Sequence, residues 1–259
     1  MKPLFLFLLF CGFFGWSHQE KLDAKPDSTA TADDTNPYLL IREGQKLLRD
    51  GDLVVRLNKD PLSQFIKNFN RQDKKYSHAG ITFIENGQPY IYHMITGREN
   101  PGGRLKKDKL SSFAHPKKNA AYAIFRYSIS SEEKRKVKEL IHSWYDKEIA
   151  FDSLFDLRTN DKMYCAEMIS KAFAKSTGKR IVFGTTMFNK TEAQLFAAHT
   201  HLPLAFVEKL KIVSIDNLYC HPLCKPVQAY DFKKRQSSIQ GLPESPQKEY
   251  GAYTEKRYE

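Results

Sequence analysis

Three side chains in this 259-residue chain have the types and spacing that nucleophilic catalysis needs. Cys165 stands in YCAEMISKAF, His78 in SHAGI and His93 in YIYHM. The reactive form of cysteine is the thiolate. A residue that opens a helix sits beside unpaired N–H groups and the positive end of the helix dipole, and both favour that form. An imidazole is needed to take the thiol proton and return it to the leaving group, and a third polar group to orient that imidazole. Cys165 is therefore the candidate nucleophile, His78 the base and His93 the orienting group. The backbone N–H of Cys165 would form part of an oxyanion hole. Plainer roles compete: Cys165 as a small buried hydrophobe, and either histidine as a hydrogen-bonded core imidazole.

The elements around these residues suit the roles. YSHAGITFIENGQPYIYHMI, residues 76–95, alternates like a β-hairpin around Asn86-Gly87. Its period of two puts His78, Gly80 and Thr82 on one face, and Ile91 and His93 on one face of the return strand. YCAEMISKAFAKST reads as a helix stopped by Gly178. SEEKRKVKELIHSWYDK reads as another, capped at Ser130 or Ser131, with an apolar stripe at Val137, Leu140, Ile141 and Trp144. A helix is expected over Pro37–Arg49, strands in DLVVRL and AAYAIFRYSI, and helical spacing over residues 61–70. Residues 97–119 read as a loop with a short helix near LSSF, and KKDK within it as a solvated face. An irregular stretch to about Leu202, a strand in LAFVEKLKIVSI and a Cys/Pro-containing end complete the reading.

In order along the chain, GDLVV, SHAGI, YIYHM and YCAEMISKAF resemble the circularly permuted branch of the NlpC-type papain-like superfamily, in particular the YiiX/YebB-like cysteine hydrolases. HAGI and YHM also resemble the paired-histidine hairpin of the lecithin retinol acyltransferase family. The resemblance covers roughly residues 48–215. It implies an α+β fold in which an antiparallel sheet or half-barrel carries the histidines and packs against the helix that carries the cysteine. Cys165 matches the family nucleophile, His78 the base and His93 the variable third position. Glu167 matches the acidic residue two after the nucleophile, as a site-shaping group. Tyr164 would pack or line the site, and Asp52 would hold a turn or lie at the cleft edge. The implied activity is a cysteine hydrolase acting on amides, with lipid acyl groups and acyl transfer as the other chemistry of the permuted branch. No cofactor is implied.

Composition sets the outer limits. Hydrophobic residues make up 41% and aromatic residues 13%, enough for a substantial core. The net charge of +11 favours an anionic surface as partner. The cations are scattered, with no aromatic-rich basic stripe, so nucleic acid is not expected. Residues 1–17, MKPLFLFLLFCGFFGWS, read as a signal peptide. Residues 18–36 read as a polar linker, 37–234 as the catalytic domain and 235–259 as a disordered tail. Export would place the protein in the periplasm or outside the cell, acting on a peptide- or lipid-linked acyl substrate of the envelope, or held at a membrane by an uncleaved segment. Cys220 and Cys224 lie close enough in sequence to pair, and as a metal site they lack a second ligand cluster. A non-catalytic envelope-binding module on the same fold is the reading of a different class. All three expected polar positions are filled, which argues against it.

Overall fold

The computed structural model describes residues 36–233 and the short strand 236–238. In chain order these form α1 (Pro37–Leu47), β1 (Asp52–Asn58), α2 (Pro61–Ile66), β2 (His78–Glu85), β3 (Gln88–Met94), β4 (Leu105–Asp108), α3 (Leu110–Phe113), β5 (Asn119–Tyr127) and α4 (Ser131–Asp146). They continue as β6 (Ala150–Phe151), β7 (Lys162–Met163), α5 (Cys165–Ser176), β8 (Thr186–Met187), α6 (Lys190–Thr200), α7 (Leu204–Val207), β9 (Lys211–Ile212), α8 (Ile215–Tyr219), β10 (Cys224–Asp231) and β11 (Gln236–Ser238). The architecture is α+β. One antiparallel sheet runs in the order β11-β10-β5-β1-β2-β3-β4.

The central strands read as nearly continuous apolar runs because both faces of the sheet are covered. Leu53, Val55, Ala79, Ile81, Phe83, Ala123 and Phe125 point to one core, which they share with Val137 and Ile141 of α4 and Met168, Ile169 and Phe173 of α5. The alternate residues Val54, Ile91, Tyr122 and Ile124 point to the other, under Leu40 and Ile41 of α1 and Leu110 and Phe113 of α3.

Local signals set the hairpin. Asn86 and Gly87 both adopt positive φ, 49° and 76°, which a two-residue turn between twisted strands requires. Glu85 then pairs with Gln88, and Ile81 with Tyr92. Gly80 allows the close approach behind that register. A Cβ there would lie 2.5 Å from Ile91 Cγ2 and 3.1 Å from the Cβ of His93. The His-x-Gly spacing thus has a packing cause: the glycine lets the two histidine strands close together. The helices begin and end where capping chemistry places them. Ser130 and Glu133 form a capping box on α4, and Gly178, at φ 58°, lies just beyond α5.

The sequence reading departs from the fold in five places. KKDK is not a solvated loop: Lys106, Lys107 and Asp108 belong to β4, with His93 opposite Lys106. The stretch before Leu202 contains α6, which opens with a capping box of Asn189 and Glu192. LAFVEKLKIVSI is not one strand. Its buried Val207, Leu210, Ile212 and Val213 do not follow a period of two, and they come from α7, a turn and β9. The Cys/Pro-containing end forms β10, where Pro226 borders a break in the ladder with β5, a position a proline tolerates. The tail expected from residue 235 contributes β11 against β10. The rest of it, the signal peptide and all of the linker but Asn36 lie outside the described residues.

Candidate active site

His78 opens β2, and His93 stands one residue before the end of β3. Their rings meet edge to face, with His78 Nε2 2.9 Å from His93 Nδ1. His93 Nε2 lies 3.0 Å from Oδ2 of Asp108, the last residue of β4. Asp108 also pairs with Lys106 Nζ at 3.0 Å. Phe113 of α3 closes over the pair, its ring 5.6 Å from His78 and 5.0 Å from His93.

Proton positions follow from the far end of this chain. Burial works to raise the Asp108 carboxyl, but hydrogen bonds from His93 and Lys106 outweigh it and hold the group down to about 2. An ionised carboxylate only accepts, so His93 Nε2 must carry hydrogen. Burial holds His93 down to about 4, so the ring is neutral and Nδ1 keeps a lone pair. That lone pair accepts from His78 Nε2–H. His78 is itself held well below its ordinary value, by burial first and then by the charge of Arg56. A neutral His78 with hydrogen on Nε2 has a bare lone pair on Nδ1, and no described residue hydrogen-bonds that atom. The carboxylate two groups away thereby fixes the tautomer of the ring at the front.

Cys165 is the first residue of α5 and keeps part of its surface open. The backbone N–H groups of Ala79, Ala166 and Cys165 itself surround its sulfur. Burial nevertheless pushes the thiol up to about 11, outweighing those donors and the nearby Arg56 charge. This corrects the expectation of a thiolate at a helix start. Desolvation of the sulfur exceeds what the helix end supplies, and burial likewise disfavours the charged form of His78.

Cys165, His78 and Tyr164 open onto one cavity of about 830 Å³. Phe69, Phe151, Phe155 and Phe196 form its aromatic walls, and Arg56 lies on the histidine side.

Residues 47–227 match the family described as permuted papain-like amidase enzyme, YaeF/YiiX, C92 family. The chain belongs to this family. The uncharacterized protein YiiX of Escherichia coli (strain K12) is 23% identical over 133 residues, a match that spans 51% of this chain and 60% of that protein. The crystal structure titled metalloprotein yiiX from Escherichia coli O157:H7 superposes with a TM-score of 0.56 at 17% identity, covering 69% of this chain and 96% of that one. The second likeness shows the permuted papain-like fold.

The structure brings Cys165, His78, His93 and Tyr164 of this YiiX-like family member together. Tyr164 lines the cavity, its ring 5.1 Å from Phe155, and its hydroxyl accepts the Val213 N–H at 2.7 Å. Glu167 is fully buried behind the cysteine. It accepts the Tyr164 N–H at 3.1 Å, pairs with Lys171 at 2.8 Å and so fixes the start of α5. Burial raises it to about 7. Asp52 lies outside the site. It is at the opposite end of β1 from Arg56 and holds a turn, accepting the Arg49 N–H at 2.8 Å and two bonds from Arg126 at 2.7 Å. Cys220 and Cys224 are buried free thiols in the core, with no bridge between them.

Two residues of the site escaped the sequence reading. Asp108 hid in a lysine-rich tetrapeptide with no periodic strand signal. Arg56 hid in an apolar strand, where a lone charge next to Val54 and Val55 was the signal. It is buried, donates to Phe113 O and to Glu99 at 3.0 Å, and its Nε has no partner.

Proposed function

We propose that this protein is a cysteine amidase or acyl hydrolase in which Cys165, His78 and His93 act as nucleophile, base and orienting group, with Asp108 as a fourth member. One observation carries the proposal. The hydrogen-bonded chain Asp108–His93–His78 ends in a ring with an unengaged Nδ1 lone pair, and that ring and Cys165 line the same cavity. As Sγ attacks a bound carbonyl carbon, its proton passes to His78 Nδ1. The N–H groups around the sulfur stabilise the oxyanion. The tetrahedral adduct then collapses, the carbon–nitrogen or carbon–oxygen bond breaks, and Nδ1–H protonates the leaving group. Water, losing a proton to Nδ1, attacks the thioester and restores the thiol.

The aromatic walls support an apolar acyl group as the part of the substrate beside the thiol, and so favour a lipid-linked acyl bond over a peptide amide. Export to the cell envelope through residues 1–17 belongs to the same proposal. A metal does not fit these residues. Both His93 nitrogens are spent on hydrogen bonds, and among the described residues no three His, Cys, Asp or Glu side chains converge.

The test is mass spectrometry after rapid acid quench with 4-nitrophenyl octanoate. An octanoyl adduct on Cys165, absent in Cys165→Ala and much slower to form in His78→Ala, is the expected result. No adduct on Cys165 would overturn the proposal and favour the non-catalytic binding module.

A further inference from the structure

The cavity changes character from its depth to its mouth. Inside are the four phenylalanines with Ile212 and Val213. At the mouth, three segments contribute exposed lining residues: the β1–α2 connection, the β3–β4 connection and the segment before β5. Their charged members include four cations, Lys59, Arg98, Lys117 and Lys118, with the buried Arg56 behind them. Only Asp60 and Glu99 line the cavity with negative charge.

Both carboxylates are already engaged. Asp60 Oδ1 accepts the Ser63 N–H at 2.9 Å and caps α2. Glu99 is held by Arg56 at 3.0 Å and by Lys118 at 3.4 Å. Lys59 donates to the carbonyl of Pro116 at 2.9 Å, which leaves its charge uncompensated. No acidic side chain pairs with Arg98 or Lys117 among the described residues. An excess of positive charge at the edge of a low-dielectric cleft raises the local concentration of anions and holds them there. The guanidinium of Arg98 adds the fork that suits phosphate or carboxylate oxygens.

We propose that the mouth is an anion subsite, and that the ligand of this cavity is an anionic amphiphile: an apolar chain against the phenylalanines and a phosphate or carboxylate at Arg98, Lys117, Lys118 and Lys59. This rests on the acyl-hydrolase reading and extends it to the substrate class. It gives the +11 chain a local use for its charge at the point where a substrate enters.

The test needs no turnover, so it stands apart from the fate of that reading. The full chain is alkylated at Cys165 with iodoacetamide in the presence of decyl phosphate, decyl glucoside or inorganic phosphate, each below any micelle-forming concentration. The concentration that half-protects Cys165 is measured. Decyl phosphate is expected to protect at a concentration at least about tenfold lower than decyl glucoside, the scale of two or three exposed charge pairs acting together. Inorganic phosphate alone is expected to give no protection. The double variant Arg98→Gln with Lys117→Gln should shrink the tenfold preference to about twofold, whereas Lys136→Gln on the remote face of α4 should leave it intact. Equal protection by the two detergents would overturn the proposal. So would a preference that survives the double variant, protection by phosphate alone, which would mark a free-anion site, or binding of decyl phosphate without protection, which would place it elsewhere.

Discussion

Asp52 and Arg56 stand four residues apart on the same face of β1, both buried and each in an ion pair, yet the two ends of the strand do different work. At the Asp52 end every partner is in place. Both carboxylate oxygens accept from Arg126, one also from the Arg49 N–H, and Arg126 goes on to the Leu47 carbonyl at 3.0 Å. At the Arg56 end the network is incomplete. Nε has no partner, Glu99 is shared with an exposed lysine, and the guanidinium borders the cavity that holds Cys165. An unsatisfied buried donor costs on the order of 1–3 kcal/mol, so a fold keeps one where something other than stability is served. The satisfied end belongs to the framework and the unsatisfied end to the site.

Substitutions can break that division. His78→Ala, at the site end, should lower kcat/KM per folded molecule by about 10³-fold, on the scale of a general base, with a stability loss in urea of only about 1–3 kcal/mol for the His93 Nδ1 left unpaired. Loss of fold instead of activity would make His78 a core residue. Asp52→Ala should do the opposite. Removing the buried partner of Arg126 should cost about 3 kcal/mol in urea unfolding, with kcat/KM per folded molecule unchanged. A large activity loss there would restore Asp52 to the site.

Asp108→Asn should lower kcat/KM by about 10- to 100-fold, because an amide no longer enforces hydrogen on His93 Nε2 and so no longer fixes the tautomer of His78. The smallest effect is expected from Arg56→Met, read from the pH profile. The Arg56 charge helps to keep His78 unprotonated, so removing it raises the His78 value. Activity should then disappear at a higher pH on the acidic side than in the wild type. An acidic limb that stays in place would show that burial alone sets the imidazole.

Much of this site was legible in the chain because its signals are local. Cys165 opens a helix that Gly178 stops. His78 and His93 flank a turn whose Asn-Gly pair fixes their register, and Gly80 marks the close approach between them. What was illegible is assembled at long range. Asp108 reaches His93 through a four-residue strand with one buried residue, too short to show a period. Arg56 gains its partners only when the Phe113 carbonyl of α3 and the Glu99 loop come together around it. The phenylalanine walls come from positions 69, 151, 155 and 196, which no spacing rule connects. The thiolate expectation failed for a similar reason: the helix end is visible in the sequence, whereas the desolvation that outweighs it comes from the elements packed around the sulfur.

The central claim is that burial and the Arg56 charge keep His78 neutral, while Asp108, acting through His93, fixes hydrogen on its Nε2 and leaves Nδ1 bare. Histidine ¹⁵N chemical shifts at pH 7, assigned with His78→Ala and His93→Ala, test it directly. The account predicts a neutral His78 in the Nε2–H form, reverting to a mixture of tautomers in Asp108→Asn. An imidazolium signal for His78, or hydrogen on Nδ1, would contradict it.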